Sequence, residues 1–271
     1  MKSGRFCPGQ AYVAVKTLNG LHILNFNPKA IKASQDIKAE MNRLNSSLLS
    51  FLPMTSEYCG IKIALLNTRS IVSKLPDIEQ DSNLASASVA CFTETWLKHD
   101  QNSPHLADHH AAIRSDRDCE SGKGGVMISV HKTLQMSRSI SLSFSHVLIE
   151  AATTILTLPG HEQLQVTVVY RSPSVPTNTL LTTMSSILSQ TTTANMPSII
   201  LGDFNDDLLV NSNLRLVELM SSYDFSQLVG SPTTNNGTLI DHVYYNRPHN
   251  SCQVKVIDAY YSDHDIIMVH L

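Results

Sequence analysis

The chain has 271 residues, 42% of them hydrophobic, with 20 Lys and Arg against 23 Asp and Glu and a formal net charge of -3. That length and apolar content suit one large core, or a domain with an appendage. The charge balance excludes a global basic field, so a nucleic-acid partner would have to be met by a local patch. Cys7, Cys59, Cys91, Cys119 and Cys252 are scattered, odd in number and without a C-x-x-C pair. This argues against a disulfide frame or a zinc site and for free thiols in a reducing compartment. The opening "MKSGRFCPGQ" lacks the apolar stretch of a signal peptide, and no apolar run reaches membrane-spanning length. A soluble, intracellular protein with no membrane partner is expected.

In chain order, "KAIKASQDIKAEMNRLNSSLLS" (29–50) is polar and helix-compatible, and the texture changes after "LPMTSEYCG", which puts a boundary near Thr55–Gly60. Strand-like runs then recur at 61–67, 87–95, 124–130, 146–158, 163–170, 198–204, 238–245, 252–258 and 265–271. Between them, 177–190 and 212–224 read as helices. Many strands with few helices predict an α/β or α+β fold, a sandwich of two packed sheets flanked by helices.

Polar residues end nearly every one of these runs. In "SIILGDFNDDL" (198–208) an apolar run passes through Gly202 into Asp203 and Asn205. Two residues apart at a strand end, these side chains share one side. They form either a polar site at a sheet edge or an Asx-rich turn. Asn67 ends "IALLN" and also suits the cap of a helix starting near Ser70. Glu94 ends "VACFTET", Tyr170 ends "QVTVVY", and Asp263 and His264 precede "DIIMVHL". Asp241 lies among apolar neighbours in "TLIDHVYY", where an unpaired carboxylate is costly. Each has a structural reading by itself; the set is harder to explain that way.

The set resembles the endonuclease/exonuclease/phosphatase superfamily. "LLNTRSI", "FTETWL", "GKGGVMISV", "VVYRSPS", "LGDFN", "LIDHVYYN" and "YSDHDIIMV" fall in that family's order over about 60–271. The forms "LNTRSI", "TETWL" and "YRSPS" are most similar to the apurinic-like endonucleases of non-long-terminal-repeat retrotransposons. The resemblance implies a deoxyribonuclease-like two-sheet sandwich whose strand ends converge on one scissile phosphate. It implies that Glu94 binds magnesium, with manganese a possible substitute, that Asn67 lies beside it and that Asp263 assists. Asp203 would act on the attacking water, Asn205 on the phosphate or that water, and Tyr170 on the phosphate, with Arg171 as a further substrate contact. Asp241 and His264 would form a carboxylate–histidine pair. The residue types suit phosphodiester chemistry, which needs a hard cation and hydrogen-bond donors facing the developing charge. The chain departs from apurinic endonucleases at Arg69, where those carry a second acid, and at Pro173, where many members carry Asn.

"CPGQAYVAVKTLNGLHILNFNPKAIKA" (7–33) resembles the last motif and C-terminal tail of Helitron helicases, without its Ser-Arg portion. No G-x-x-x-x-G-K-[ST] loop occurs, so residues 1–50 are expected to be a truncated helicase-like remnant that uses no ATP. His105, His109 and His110 read as solvated loop histidines, and Arg114, Arg117 and Lys123 as possible contacts to DNA backbone. The expected function is a magnesium-dependent endonuclease from a mobile element, nicking DNA in the nucleus. The alternatives are a phosphatase or phosphodiesterase of the same fold acting on inositol phosphates or phospholipids, and a catalytically decayed transposon relic. Oligomeric state is left open.

Overall fold

The computed structural model describes residues 11–17, 20–26, 60–117, 123–144, 148–158, 161–191, 196–210, 214–248 and 252–271. The chain forms two compact units, Met1–Tyr58 and Cys59–Leu271. In the first, β1 (Ala11–Thr17) and β2 (Gly20–Phe26) make an antiparallel hairpin, with Ala11 opposite Phe26 and Thr17 opposite Gly20. The segment read as helix-compatible at 29–50 lies outside the described residues.

The second unit is a two-sheet sandwich, as its run of short apolar segments predicts. Sheet I contains β3 (Lys62–Asn67), β4 (Val89–Thr93), β5 (Ile113–Ser115), β6 (Val126–Val130), β13 (Gln253–Ile257) and β14 (Ile266–His270). Sheet II contains β7 (Gln135–Phe144), β8 (Ile149–Thr157), β9 (Gln163–Arg171), β10 (Ser198–Asp203), β11 (Ser226–Gln227) and β12 (Asp241–Tyr245). Their orders are β13-β14-β3-β4-β6-β5 and β11-β12-β10-β9-β8-β7 among the described residues. The pairs β3–β4 and β9–β10 are parallel, and the other pairs are antiparallel.

The strands read as continuous apolar runs because both of their faces are buried. Ile63 and Leu65 of β3 join Val168, Ile199, Leu201 and Val243 in the core between the sheets. The alternate residues Ala64 and Leu66 face outward, against Ile71 and Ile78 of α1 (Ile71–Gln80) and Leu84 of α2 (Ser82–Ala85). On the far side, Ile200 and Tyr244 pack on Leu180, Met184 and Ile187 of α3 (Thr177–Thr191) and on Leu216 and Met220 of α4 (Arg215–Ser221). No helix among the described residues is long and apolar enough to cross a membrane.

Several boundaries differ from expectation. The run 238–245 becomes a strand only at Asp241, so that carboxylate opens β12 instead of lying in its middle. The strand β7 has no counterpart in the expected elements. Its "QMSRSISLSF" alternates serines with mostly apolar residues, a period-two signal, and its pairing with β8 shifts register between Met136 and Arg138. The helix α1 runs on through Pro76.

Gly202 pairs with Val169 in the parallel β9–β10 ladder. A Cβ built there would lie 1.8 Å from the Val169 carbonyl oxygen. Gly202→Ala is therefore expected to cost about 1–3 kcal/mol or more, by forced displacement of packed backbone. Urea denaturation checks this, and an unchanged midpoint would mean that the two strands part at no cost.

Candidate active site

One end of the sandwich gathers the polar strand ends. Asn67 is in register with Thr93 in the parallel pair β3–β4. The two chains stay bonded past the strands, with Thr68 N–H donating to Thr93 O at 3.0 Å and Ser70 N–H to Glu94 O at 2.9 Å. This keeps Glu94 beside Asn67. The turn needs left-handed backbone at Arg69 (φ 40°), Ser70 (92°), Glu94 (47°) and Trp96 (55°). Such non-glycine residues cost on the order of 1–3 kcal/mol each and gather at functional sites. In sheet II, Asp203 at the end of β10 pairs with Tyr170 of β9 on one side and Asp241 of β12 on the other. A bridge between Thr234 and His264 brings the loop before β14 to the same end.

Side-chain contacts then cross from sheet to sheet. The Asn67 Nδ2 amide donates to Asp203 Oδ2 at 2.8 Å and to Glu94 Oε1 at 3.1 Å. Trp96 Nε1 donates to Glu94 Oε2 at 3.0 Å. Asp203 Oδ1 accepts the Asn205 N–H at 2.9 Å, which holds Asn205 in a left-handed conformation (φ 46°). His264 Nδ1 donates to Asp241 Oδ2 at 2.8 Å, and Thr233 Oγ1 donates to the same oxygen at 2.7 Å. Asn67, Asp203 and Asp241 are essentially inaccessible, and His264 and Tyr170 are buried.

Burial sets the charges. It pushes the Asp203 carboxyl up to about 8, helped by the negative Asp241 and opposed by His264, the Asn205 N–H and Asn67. Burial disfavours the His264 cation, but the hydrogen bond and charge of Asp241 outweigh it and raise the ring to about 9. Burial, reinforced by the Glu94 and Asp203 charges, also holds the Tyr170 hydroxyl protonated well above its ordinary range. Ligand atoms of Asp203, Asp241 and His264 lie within 4.8 Å of one another, a grouping able to hold a metal ion. Asp241 Oδ1 is buried and has no hydrogen-bond partner among the described residues. The two aspartates offer carboxylate oxygens and His264 a ring nitrogen, while Glu94, joined to Asp203 through the Asn67 amide, adds the hard carboxylate oxygens that fit a magnesium-like cation.

The structure thus brings Asn67, Glu94, Asp203, Asn205, Asp241 and His264 to one end of the sandwich, with Tyr170 alongside. Two of the expected residues differ. Arg171 is not a substrate contact, because its buried guanidinium is already bonded to backbone carbonyls. It donates to Phe204 O at 3.0 Å, to Asn205 O at 3.2 Å and to Val175 O. It clamps the loop carrying Asn205, whose side chain bonds the Arg171 carbonyl in return at 2.6 Å. Asp263 is drawn aside by Arg69, whose Nη1 donates to its Oδ2 at 2.6 Å. Arg117 does not face solvent. It is buried in a two-pronged pair with Glu150 at 2.7 and 2.9 Å, and its guanidinium lies 5.2 Å from the Tyr170 ring centre. His109 is likewise buried, against the expectation of a solvated loop residue.

Trp96, Thr233 and Glu150 had no assigned role in the sequence reading. Glu150 left a signal, as a lone carboxylate in the apolar run "HVLIEAATTILTL". Thr233 left none, since a hydroxyl in a loop belongs to no period.

A two-sheet sandwich with a carboxylate, amide and histidine cluster at its strand ends defines a deoxyribonuclease-like hydrolase fold. Residues 64–264 match the Endonuclease/Exonuclease/phosphatase family, and the chain belongs to it. A comparison with curated proteins finds no match. Among solved structures, the chain is similar to an endonuclease/exonuclease/phosphatase family protein from Leptotrichia buccalis, with a TM-score of 0.60, 15% identity, and coverage of 77% of this chain and 98% of that one. It is similar to the endonuclease domain of TRAS1, a telomere-specific non-LTR retrotransposon (TM-score 0.58, 13% identity, 78% and 98% covered). It is also similar to a mannosyl-6-phosphatase from Bacteroides thetaiotaomicron (TM-score 0.58, 16% identity, 77% and 98% covered).

The two raised groups set the pH response of the metal-free protein. Asp203, raised from 3.8 to about 8, stays protonated in the folded protein while it ionises in the unfolded chain between those values, so its contribution to stability falls as pH rises across that window. His264, raised from 6.5 to about 9, contributes stability that is complete below 6.5 and lost as pH rises through 9. In EDTA the melting temperature is expected to fall from pH 6.5 to 9, and His264→Gln should flatten part of that fall. A melting temperature that rises over the same interval would contradict this charge assignment.

Proposed function

We propose that the domain is a divalent-metal-dependent DNA endonuclease that nicks phosphodiester bonds, derived from a mobile element and working in the nucleus. The observation that carries this reading is the Asn67 amide shared by Glu94 and Asp203, set beside the Asp241–His264 pair. Two carboxylates meet one neutral donor, an arrangement that calls for a cation. The endonuclease-like wording of "TETWL" and "YRSPS" and the likeness to a retrotransposon endonuclease domain support DNA as the substrate. Residues 1–50 take no part in this assignment.

Glu94 would hold magnesium or manganese, with Asn67 positioned beside it. The Asp203–Asp241–His264 grouping is less suited to that task, because His264 and Asp241 are already bonded to each other at 2.8 Å. When bound, the ion supplies positive charge to the non-bridging phosphate oxygens. Asp203, raised by burial and by the neighbouring Asp241 charge, is a stronger base than an ordinary carboxylate and, once ionised beside a bound cation, would take a proton from the attacking water. Asn67 and the Asn205 N–H fix the direction of its carboxylate. His264, kept cationic by Asp241, donates to the phosphate as charge builds, and the protonated Tyr170 hydroxyl provides a second donor.

A phosphatase or phosphodiesterase acting on a small phosphoester is the second reading, favoured by the equal likeness to the Bacteroides phosphatase. Supercoiled plasmid, assayed beside a soluble inositol phosphate, separates the two. Asp203→Asn and His264→Ala are each expected to slow nicking by about a hundredfold or more. Glu94→Ala should recover part of its lost rate in excess magnesium, whereas Asp203→Asn should recover none. Turnover of the inositol phosphate with no nicking would replace the endonuclease reading by the second one.

A further inference from the structure

A surface cleft is lined by Arg69, Lys74, Trp96, Tyr260, Tyr261 and Asp263 among its residues. Trp96 ties this lining to Glu94, since its indole nitrogen donates to Glu94 Oε2 at 3.0 Å. Lys123 Nζ lies 5.6 Å from the centre of the Trp96 ring. Tyr260, in the same lining, is 80% exposed, more than any other large hydrophobic side chain among the described residues.

The exposed ring is held in place. The Tyr260 hydroxyl donates to Asp77 Oδ1 at 3.1 Å. Its ring meets Tyr261 edge-on, with centroids 5.0 Å apart. The Tyr261 hydroxyl donates in turn to Asp81 Oδ2 at 3.0 Å. Both tyrosines are thus staked to the C-terminal end of α1. Single exposed aromatics are ordinary, but this one is tethered at its hydroxyl and shares its cleft with Arg69 and Lys74. Arg69 is half-exposed and steadied by Asp263, one residue before His264. Lys74 lies on the same cleft. A tethered aromatic ring that shares a cleft with Arg69 and Lys74, reached from the site through Trp96 and Asp263, suits the alternation of base and phosphate along a nucleic-acid strand. A small polyol phosphate would use the cations but not the aromatic face.

We propose that this cleft is a subsite for an unpaired nucleotide adjacent to the scissile phosphate, its base stacked on Tyr260 and its phosphate facing Arg69 and Lys74. The inference rests on the nuclease reading above, and its test can fail separately. The full chain in EDTA is titrated into a fluorescein-labelled single strand of thymidylate and into a blunt duplex of equal length, and anisotropy is recorded. The wild type is expected to bind the single strand more tightly than the duplex. Tyr260→Ala should weaken single-strand binding by roughly tenfold or more, as loss of one base–aromatic stack does, while Tyr260→Phe, which keeps the ring but not its Asp77 tether, should lose clearly less. Lys74→Gln should lower the slope of log affinity against log salt by about 0.7, one phosphate contact on a single strand. The melting temperature of Tyr260→Ala confirms that it is folded.

Equal binding by wild type and Tyr260→Ala, equal loss in Tyr260→Ala and Tyr260→Phe, or no single-strand binding at all would each overturn the subsite. If Tyr260→Ala weakens binding but the wild type nicks no plasmid, the subsite stands and the endonuclease reading falls. If the wild type nicks plasmid but Tyr260→Ala binds normally, only the subsite falls.

Discussion

Asn67 Nδ2 stands between two carboxylates, 2.8 Å from Asp203 and 3.1 Å from Glu94, and much of the molecule is arranged to keep it there. A neutral amide offers two N–H donors but no charge, so the negative charges it joins are oriented without being neutralised. Asp241 adds a third carboxylate, whose Oδ1 is buried without a partner among the described residues. Charge held this way in low dielectric is expensive, and the upward push on Asp203 registers that expense. The His264 cation, bonded to Asp241 and also opposing the rise of Asp203, offsets only part of that charge. A site with unspent negative charge suits a substrate that reacts only when a cation accompanies it.

Holding that cluster open against relaxation requires a stiff surround. The parallel β3–β4 pair runs on into bonded, left-handed turns, so Glu94 cannot swing away from Asn67 without breaking backbone hydrogen bonds. The Arg171 clamp does the same for Asn205. Behind Tyr170, the buried Arg117–Glu150 pair packs on the ring and receives the Gly125 N–H at 3.3 Å. A buried ion pair is weak evidence for stability but strongly directional, and its cost makes sense where it fixes a side chain at a reactive centre.

Much of this was legible in the sequence, because a strand buried on both faces announces itself as an unbroken apolar run. A polar residue at the end of such a run then marks the sheet edge where sites form. Asn67, Glu94, Asp203 and His264 were found that way. What stayed hidden depended on partners distant in sequence. Arg117 sits among Ser, Asp and Glu and reads as solvated, yet its partner Glu150 lies in another strand and pulls it inside. Arg171 follows a strand-end tyrosine and reads as a substrate contact, but three carbonyls compete for it first. β7 was missed because serine fills its alternate positions, which weakens the apolar signal without breaking its period.

The central claim is that Glu94 is where the cation binds, while Asp203, Asp241 and His264 serve proton transfer and the phosphate. Anomalous diffraction from crystals soaked in manganese tests this most directly. The account predicts one strong peak within coordination distance of the Glu94 carboxylate. A peak enclosed by Asp203, Asp241 and His264, with none at Glu94, would contradict it.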